Sequence, residues 1–351
     1  MHKFVRNLIT EWRRLGLPVS DVTVVLGISG GADSVSLLLA LSELVRSKKL
    51  NLRLVAAHFN HNLRPNDANK DEEFVKTLTA ANEIELAVGH GDVPREGNLE
   101  QNARAARYGF LRRTAENLRA HSILTAHTQN DQAETFLINL IRGSGLAGLS
   151  AMKPLRGMVD RPRDGWNDQL ASELNSYLPF GRPSILLARP LLNWAKRRDT
   201  ENYCREQQIA FRYDTMNDDL AFSRVRVRKI LIPLLEEFNP RIIDTLCQTA
   251  RLIQLENSAD GGPRDDASPR SLDALDVQTL KQLETGQLYR TIRVWLEQKR
   301  GDLRQLDLKH IEAIERLVKT RKSGKVVELP GGEAVFKQDG RLVFGKLKVE
   351  K

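Results

Sequence analysis

The sequence predicts an α/β protein: a doubly wound parallel sheet, followed by a smaller, mainly helical domain and a C-terminal β-hairpin. Three observations carry that expectation. The first 155 residues alternate between short β-branched runs and longer amphipathic helical patterns, which is the signature of stacked βαβ units. A serine- and glycine-rich turn, Ser29-Gly30-Gly31-Ala32-Asp33-Ser34, joins the first such run directly to a helical pattern. The chain closes on VVELPGGEAVFKQDGRLVFGKL, two alternating runs joined by an Asp-Gly turn, which reads as a hairpin.

Taken in order, the N-terminal segment spaces Phe4, Leu8, Ile9, Trp12 and Leu15 as one face of an amphipathic helix. Charges run through it, so it lacks the apolar core of a signal peptide. Strands are expected at Val22–Ile28, Leu52–His58, Ile84–Val88 and Ser122–Ala126, with helices at Ser34–Ser47, Asp71–Ala81, Leu99–Arg119 and Asp131–Arg142. Residues 156–184 are polar and rich in Pro and Gly, and read as an insertion before a last strand within Ile185–Leu192. The catalytic domain is expected to end near residue 215, a helical domain to run over 216–325 with a linker at about 257–270, and the hairpin to fill 326–351. Helices at about Asp276–Lys299 and Leu306–Thr320 fall inside the second of these.

Composition sets the outer bounds. A net charge of +9 suits a polyanionic partner such as nucleic acid, and 6% aromatic content favours phosphate contacts over base stacking. Two cysteines, Cys204 and Cys247, exclude a disulfide framework or a cysteine-rich zinc site. That cysteine usage makes a cytoplasmic location the expectation, and no apolar run reaches the roughly 18–20 residues of a membrane span. The oligomeric state is left open, a homodimer included.

The turn at 29–34 presents free N–H groups at a helix N-terminus, where the dipole also favours phosphate. Gly30 and Gly31 allow close approach and backbone angles that a Cβ forbids. No Lys follows as in a Walker A loop, and the adjacent glycines do not make G-x-G-x-x-G. Asp33 places a carboxylate beside the nest, suited to Mg²⁺ or an amine. The plainer reading, an ordinary strand-to-helix turn, accounts for the glycines but not for the flanking serines and aspartate.

Two further clusters follow later strands. His58-Phe59-Asn60-His61-Asn62-Leu63-Arg64 holds two histidines three apart without an obvious third metal ligand, and Arg64 is placed to reach a phosphate or a base. In Thr125–Thr135, Asp131 and Glu134 share one helical face near its N-terminus, beside His127. Either carboxylate alone is ordinary dipole complementarity; the pair with an imidazole suits an ammonium group or Mg²⁺. Arg224, Arg226, Arg228 and Lys229 form a basic run that reads as a solvated face or as phosphate contacts, and Arg316, Lys319, Arg321 and Lys322 are the next such candidates.

The turn resembles the PP-loop of ATP pyrophosphatases, a Rossmann-like superfamily. Together with HFNHNLR, QNARAARYGFL at 101–111 and AHTQNDQAETFLINLIRGSGLAGLSAM at 126–152, it resembles the tRNA(Ile)-lysidine synthetase family over roughly residues 20–240. RPLLNWAKRRDTENYC and DTMNDDLAFSRVRVRKILIPLL extend the likeness. The resemblance implies an ATP-dependent ligase forming a C–N bond. ATP adenylates the C2 oxygen of the wobble cytidine in an isoleucine tRNA with a CAU anticodon, and the side-chain amine of free L-lysine displaces AMP. On this chain it implies ATP at Ser29, Gly30, Gly31, Ala32, Asp33 and Ser34, with Mg²⁺ and Asp33 near the reacting centre. It places lysine at Arg107, His127, Asp131 and Glu134, with Asp33, Arg107 and Asp131 catalytic. It places tRNA on Arg64, Arg224, Arg226, Arg228 and Lys229. Three positions depart from the family pattern: Thr128 stands where a His is usual, Asn130 where an Asp is, and Val225 where an Asn is. A tRNA thiolase of the same superfamily is disfavoured by the scattered cysteines. Synthetases of GMP or asparagine are disfavoured by the lack of a glutaminase domain, and a non-catalytic RNA-binding relative by Asp33, Asp131 and Glu134.

Overall fold

The computed structural model describes residues 1–62, 65–91, 99–157, 185–213, 219–259, 274–300, 306–320 and 324–346. Arg64, Arg321, Lys322, most of the 156–184 insertion and most of the 257–270 linker lie outside the described residues. The chain divides into two units, the first made of residues 1–138 and 152–244, the second of 139–151 and 245–351.

In the first unit, a six-stranded sheet has the order β3-β2-β1-β4-β6-β5. The strands are β1 (Ser20–Gly27), β2 (Asn51–Asn60), β3 (Glu85–His90), β4 (Ser122–Leu124), β5 (Leu155–Gly157) and β6 (Leu186–Ala188). Neighbouring strands run parallel from β3 to β6, and only β5 is antiparallel, against β6. Strand succession runs outward in one direction from β1 through β2 to β3, and in the other through β4. The switch point therefore lies between β1 and β4, and the loops after those two strands open on one crevice. That topology positions everything functional described below.

Helices α1 (Lys3–Arg14), α2 (Ala32–Arg46), α3 (Pro65–Ala81), α4 (Leu99–Asn117), α5 (Gln129–Ile141) and α7 (Arg197–Glu206) are the main helices of this unit, and the short α6 (Leu146–Leu149) belongs to the second. The N-terminal helix does what its spacing predicts. Phe4, Leu8 and Trp12 are buried, Phe4 stacks on Tyr203 with ring centroids 4.6 Å apart, and Trp12 Nε1 donates to Pro18 O at 2.9 Å. Each such apolar side chain contributes roughly 1.5–3 kcal/mol by leaving water. The segment after α7 continues as α8 (Ser223–Arg226), a π-helical turn (Val227–Leu231) and α9 (Ile232–Phe238). These residues, placed from sequence in the helical domain, belong to the first unit, because the arginines of α8 and the π turn bind carboxylates of α5.

The second unit contains most of α10 (Ile242–Ala259), α11 (Val277–Gln282), α12 (Thr285–Arg300), α13 (Leu308–Lys319) and a four-stranded antiparallel sheet. One helix expected over 276–299 is two: Leu283 turns extended (ψ 142°) and packs into the core of Leu280, Ile292, Trp295 and Ile314. The closing hairpin forms between β9 (Glu333–Gln338) and β10 (Arg341–Lys346), with Asp339 and Gly340 both at positive φ, as a two-residue turn of this twist requires. It is extended by β8 (Val326–Leu329) on one side and β7 (Ala274–Asp276) on the other. Its buried Lys337 reaches the last turn of α13, donating to the carbonyls of Leu317, Val318 and Thr320 at 3.3, 3.3 and 2.5 Å. An ammonium group complements the negative end of a helix. Lys337→Met takes the donor from two buried carbonyls and one part-buried one and is expected to destabilise the protein by about 1–3 kcal/mol, measured by urea unfolding.

Candidate active site

The loop after β1 takes its shape from its own hydroxyls. Ser34 Oγ donates to Gly31 O at 2.9 Å and accepts the N–H of Ser29 at 3.2 Å, while the N–H of Gly31 reaches Ser29 Oγ at 3.4 Å. Gly30 adopts φ +86°, which only glycine enters without strain. Gly31 instead has φ −72° and is the N-cap of α2, so the expectation of special backbone freedom holds for Gly30 alone. Below the loop, His58 Nδ1 sits 3.0 Å from Ile28 O, bracing the end of β1 from β2. This is the hydrogen-bonding role; among the described residues no group of three or more His, Cys, Asp or Glu is placed to hold a metal.

The loop after β4 is set by capping. Thr128, fully buried, is the residue before α5, and Asp131 Oδ2 accepts both its N–H (2.8 Å) and its hydroxyl (3.0 Å). The carboxylate three residues on thus meets the N–H of the residue before the helix, which is one half of a capping box, and the threonine hydroxyl adds a second bond to it. Asn130 Oδ1 accepts the N–H of Arg197, the first residue of α7, at 2.9 Å. An asparagine does this as well as an aspartate. Val225 is buried in α8. Thr128 and Asn130 therefore occupy structural positions that the residues present satisfy, whereas Val225 lines the site pocket described below.

Behind Asp131 lies Glu134, with no exposed surface. Arg224 Nε donates to its Oε2 at 2.8 Å, Arg228 Nε to Oε1 at 2.7 Å and Nη2 to Oε2 at 3.1 Å, and Arg197 Nη2 to Oε1 at 3.3 Å. Arg224 also reaches Asp131 Oδ1 at 3.2 Å, with Arg197 3.9 Å from the same oxygen. Two expectations change here. Glu134 is saturated by guanidinium groups and positions them, rather than facing an ammonium ligand. Arg224 and Arg228 are turned inward onto these carboxylates, whereas Arg226 and Lys229 remain on the exposed face. Helical spacing of four puts 224 and 228 on one side, a signal the basic run carried but did not disclose.

Ser29, Asp33, Ser34, His61, Arg104, Arg107, His127, Asp131, Arg224 and Arg228 share the lining of one pocket of about 430 Å³. Gly30, Gly31 and Ala32 shape the turn without lining the pocket, and Glu134 stands behind it. The two carboxylates at its centre are driven apart. Burial and the neighbouring Asp131 charge push Asp33 up to about 7, against the Thr200 hydroxyl (2.5 Å from Oδ1), Arg197 and Arg228. Burial pushes Asp131 in the same direction but is outweighed by Arg224, Arg197 and the Thr128 N–H, which hold it well below the usual carboxylate range. Burial together with Arg189, Arg104 and Arg107 keeps His127 neutral despite Asp131; its Nδ1 lies 2.9 Å from Thr125 Oγ1. Burial and Arg107 lower His61 to about 4. The site thus offers an ionised carboxylate, a neutral imidazole and a set of cations beside a phosphate-shaped loop. Arg104, Arg197 and Thr200 were not singled out from sequence, since nothing in a helical charge pattern tells which charges fold inward.

A family model described as PP-loop domain matches residues 3–235, two thirds of the chain. The chain belongs to the PP-loop family. A second model, described as TilS substrate binding domain, matches residues 275–343. Curated relatives named tRNA(Ile)-lysidine synthase include one from Solibacter usitatus, 32% identical over 319 residues, covering 89% of this chain and 65% of the relative. Another, from a Bradyrhizobium species, is 37% identical over 264 residues, covering 72% and 65%. The chain thus spans slightly less than two thirds of the length of these relatives. Among solved structures, the U34-tRNA thiolase NcsA from Methanococcus maripaludis, with its [4Fe-4S] cluster, matches at TM-score 0.55 and 15% identity, covering 72% of this chain and 78% of its own. That likeness shows the shared PP-loop fold.

The opposed carboxylate shifts have opposite signatures in stability. Asp33 binds more protons folded than unfolded between its ordinary value near 3.8 and about 7, so its ionisation costs stability progressively as pH rises through that range. Asp33→Asn should therefore gain melting temperature over wild type at pH 8, and gain less at pH 5. Asp131, held low, contributes stability that is present above its ordinary value and lost only in acid. Asp131→Asn should lose about 3 kcal/mol throughout pH 5–8. Calorimetric scans of the two variants across this range check both signs.

Proposed function

We propose that this chain ligates free L-lysine to C2 of the wobble cytidine of an isoleucine tRNA with a CAU anticodon, at the expense of ATP. One observation carries the reading: the phosphate-loop residues Ser29, Asp33 and Ser34 line the same pocket as His127, Asp131 and Arg107. The names of the relatives and the match to a substrate-binding domain point the same way.

In this scheme the loop N–H groups and the N-terminus of α2 receive the triphosphate. The cytidine C2 oxygen attacks the α-phosphorus and pyrophosphate leaves. The lysine amine then attacks C2, its proton is removed, and AMP leaves with the former C2 oxygen. Lysine carries ammonium groups and a carboxylate. Asp131 is ionised for the former, and Arg107 is cationic for the latter. The attacking amine must first lose a proton. A magnesium ion fits beside Asp33, whose carboxylate lines the pocket; one protein carboxylate with ATP phosphates is an ordinary Mg²⁺ environment. Such an ion would neutralise charge on the phosphates. Arg226 and Lys229, on the exposed face of α8 and the π turn, are proposed to meet tRNA phosphates, as is Arg64. Cys204, buried and with its thiol pushed up to about 12 by burial, is unsuited to carry sulfur, which disfavours a thiolase reading.

Mixing the protein with ATP, Mg²⁺, radiolabelled lysine and the CAU tRNA should place label in the tRNA with one AMP per lysine. Absence of label, with AMP released on another acceptor, would refute the assignment. Asp131→Asn should reduce transfer about 100-fold or more with tRNA affinity unchanged; a parallel loss of tRNA binding would make Asp131 structural.

A further inference from the structure

The phosphate loop is strapped from outside by a residue that lies beyond its own sequence motif. After α7 the chain passes over Gly30, and the N–H of Arg212 donates to Gly30 O at 2.9 Å. The Arg212 methylenes and the Phe74 ring cover the bare Cα of Gly30: a Cβ built there would stand 3.3 Å from Arg212 Cγ and 3.4 Å from Phe74 Cδ1. The Arg212 guanidinium is anchored on α3, where Nε donates to Asp71 Oδ1 at 2.7 Å. The strap thus joins three parts of the first unit (the loop, the segment after α7, and α3) around the one residue of the loop held at positive φ.

We infer that Arg212 is a positioning residue for nucleotide binding, holding Gly30 in the conformation that aims the loop N–H groups at phosphate, with Asp71 fixing Arg212 in turn. The chemistry needs such a device. A left-handed glycine is entropically free to leave its conformation, and loop N–H groups bind phosphate well only when pre-aimed. Hydroxyl bonds within the loop fix Ser29 to Ser34, whereas the Gly30 carbonyl is held by the N–H of Arg212. The inference rests on the ATP reading given above.

The test measures Mg·ATP affinity by calorimetry, and the Michaelis constant for lysine by transfer to tRNA, in the full chain. Arg212→Met keeps the methylenes over Gly30 and removes the guanidinium; Asp71→Asn removes its anchor and is the gentler change should the first fold poorly. Each is expected to raise the ATP dissociation constant about three- to tenfold while the lysine Michaelis constant moves less than about twofold. The double variant should be no weaker than the weaker single one, because both act through one contact. Wild-type ATP affinity in folded Arg212→Met and Asp71→Asn, or additive losses in the double variant, overturns the strap. Failure of the wild-type protein itself to bind Mg·ATP overturns the ATP reading and this inference with it.

Discussion

The site depends on one buried charge. Glu134 has no contact with solvent, and an ionised carboxylate in that position is tolerable only if its oxygens are met by charged donors. Arg197, Arg224 and Arg228 meet them, from positions 63 to 94 residues further along the chain. The interaction ties α5 to α7 and to the π turn, three elements with no sequence reason to adjoin. π-helical turns recur at functional sites, and here the turn carries Arg228 onto Glu134 one helical repeat after Arg224. Removing any one arginine leaves the carboxylate undercompensated, so the elements are held as a set.

That arrangement decides what the two pocket carboxylates are. Asp131 shares Arg224 and Arg197 with Glu134 and stays ionised; Asp33, beside Asp131 and bonded to a neutral hydroxyl, is driven towards neutrality. Pairs of like groups whose surroundings push them apart are how one site supplies two protonation roles near pH 7. The fold contributes the other half. Because β1 and β4 flank the switch point of the sheet, the phosphate loop and the His127 loop open on the same crevice, and a phosphorus centre and an amine can meet there.

Much of this was legible in the sequence. Ser29–Ser34 announced a phosphate loop because a strand, two glycines and a helix start are all local features. Asp131 was readable from its place in a first helical turn. The closing hairpin was readable from Asp339-Gly340, although β7 and β8 beside it were not, since short edge strands carry little alternation. What stayed hidden is tertiary. A run such as Arg224–Lys229 looks the same whether it faces phosphates or a buried glutamate, and only the partner's location decides. The departures at Thr128 and Asn130 were ambiguous for the same reason: each is a helix cap, and the helix capped by Asn130 begins 67 residues later.

The most direct test of the central claim, that Glu134 organises the site without touching substrate, is the rate of lysine transfer to tRNA by Glu134→Gln under conditions where circular dichroism shows it folded. The account predicts a fall of about 100-fold or more, as expected when reacting groups are displaced by an ångström, with Mg·ATP affinity within about threefold of wild type. A folded Glu134→Gln protein that transfers lysine at the wild-type rate would contradict it.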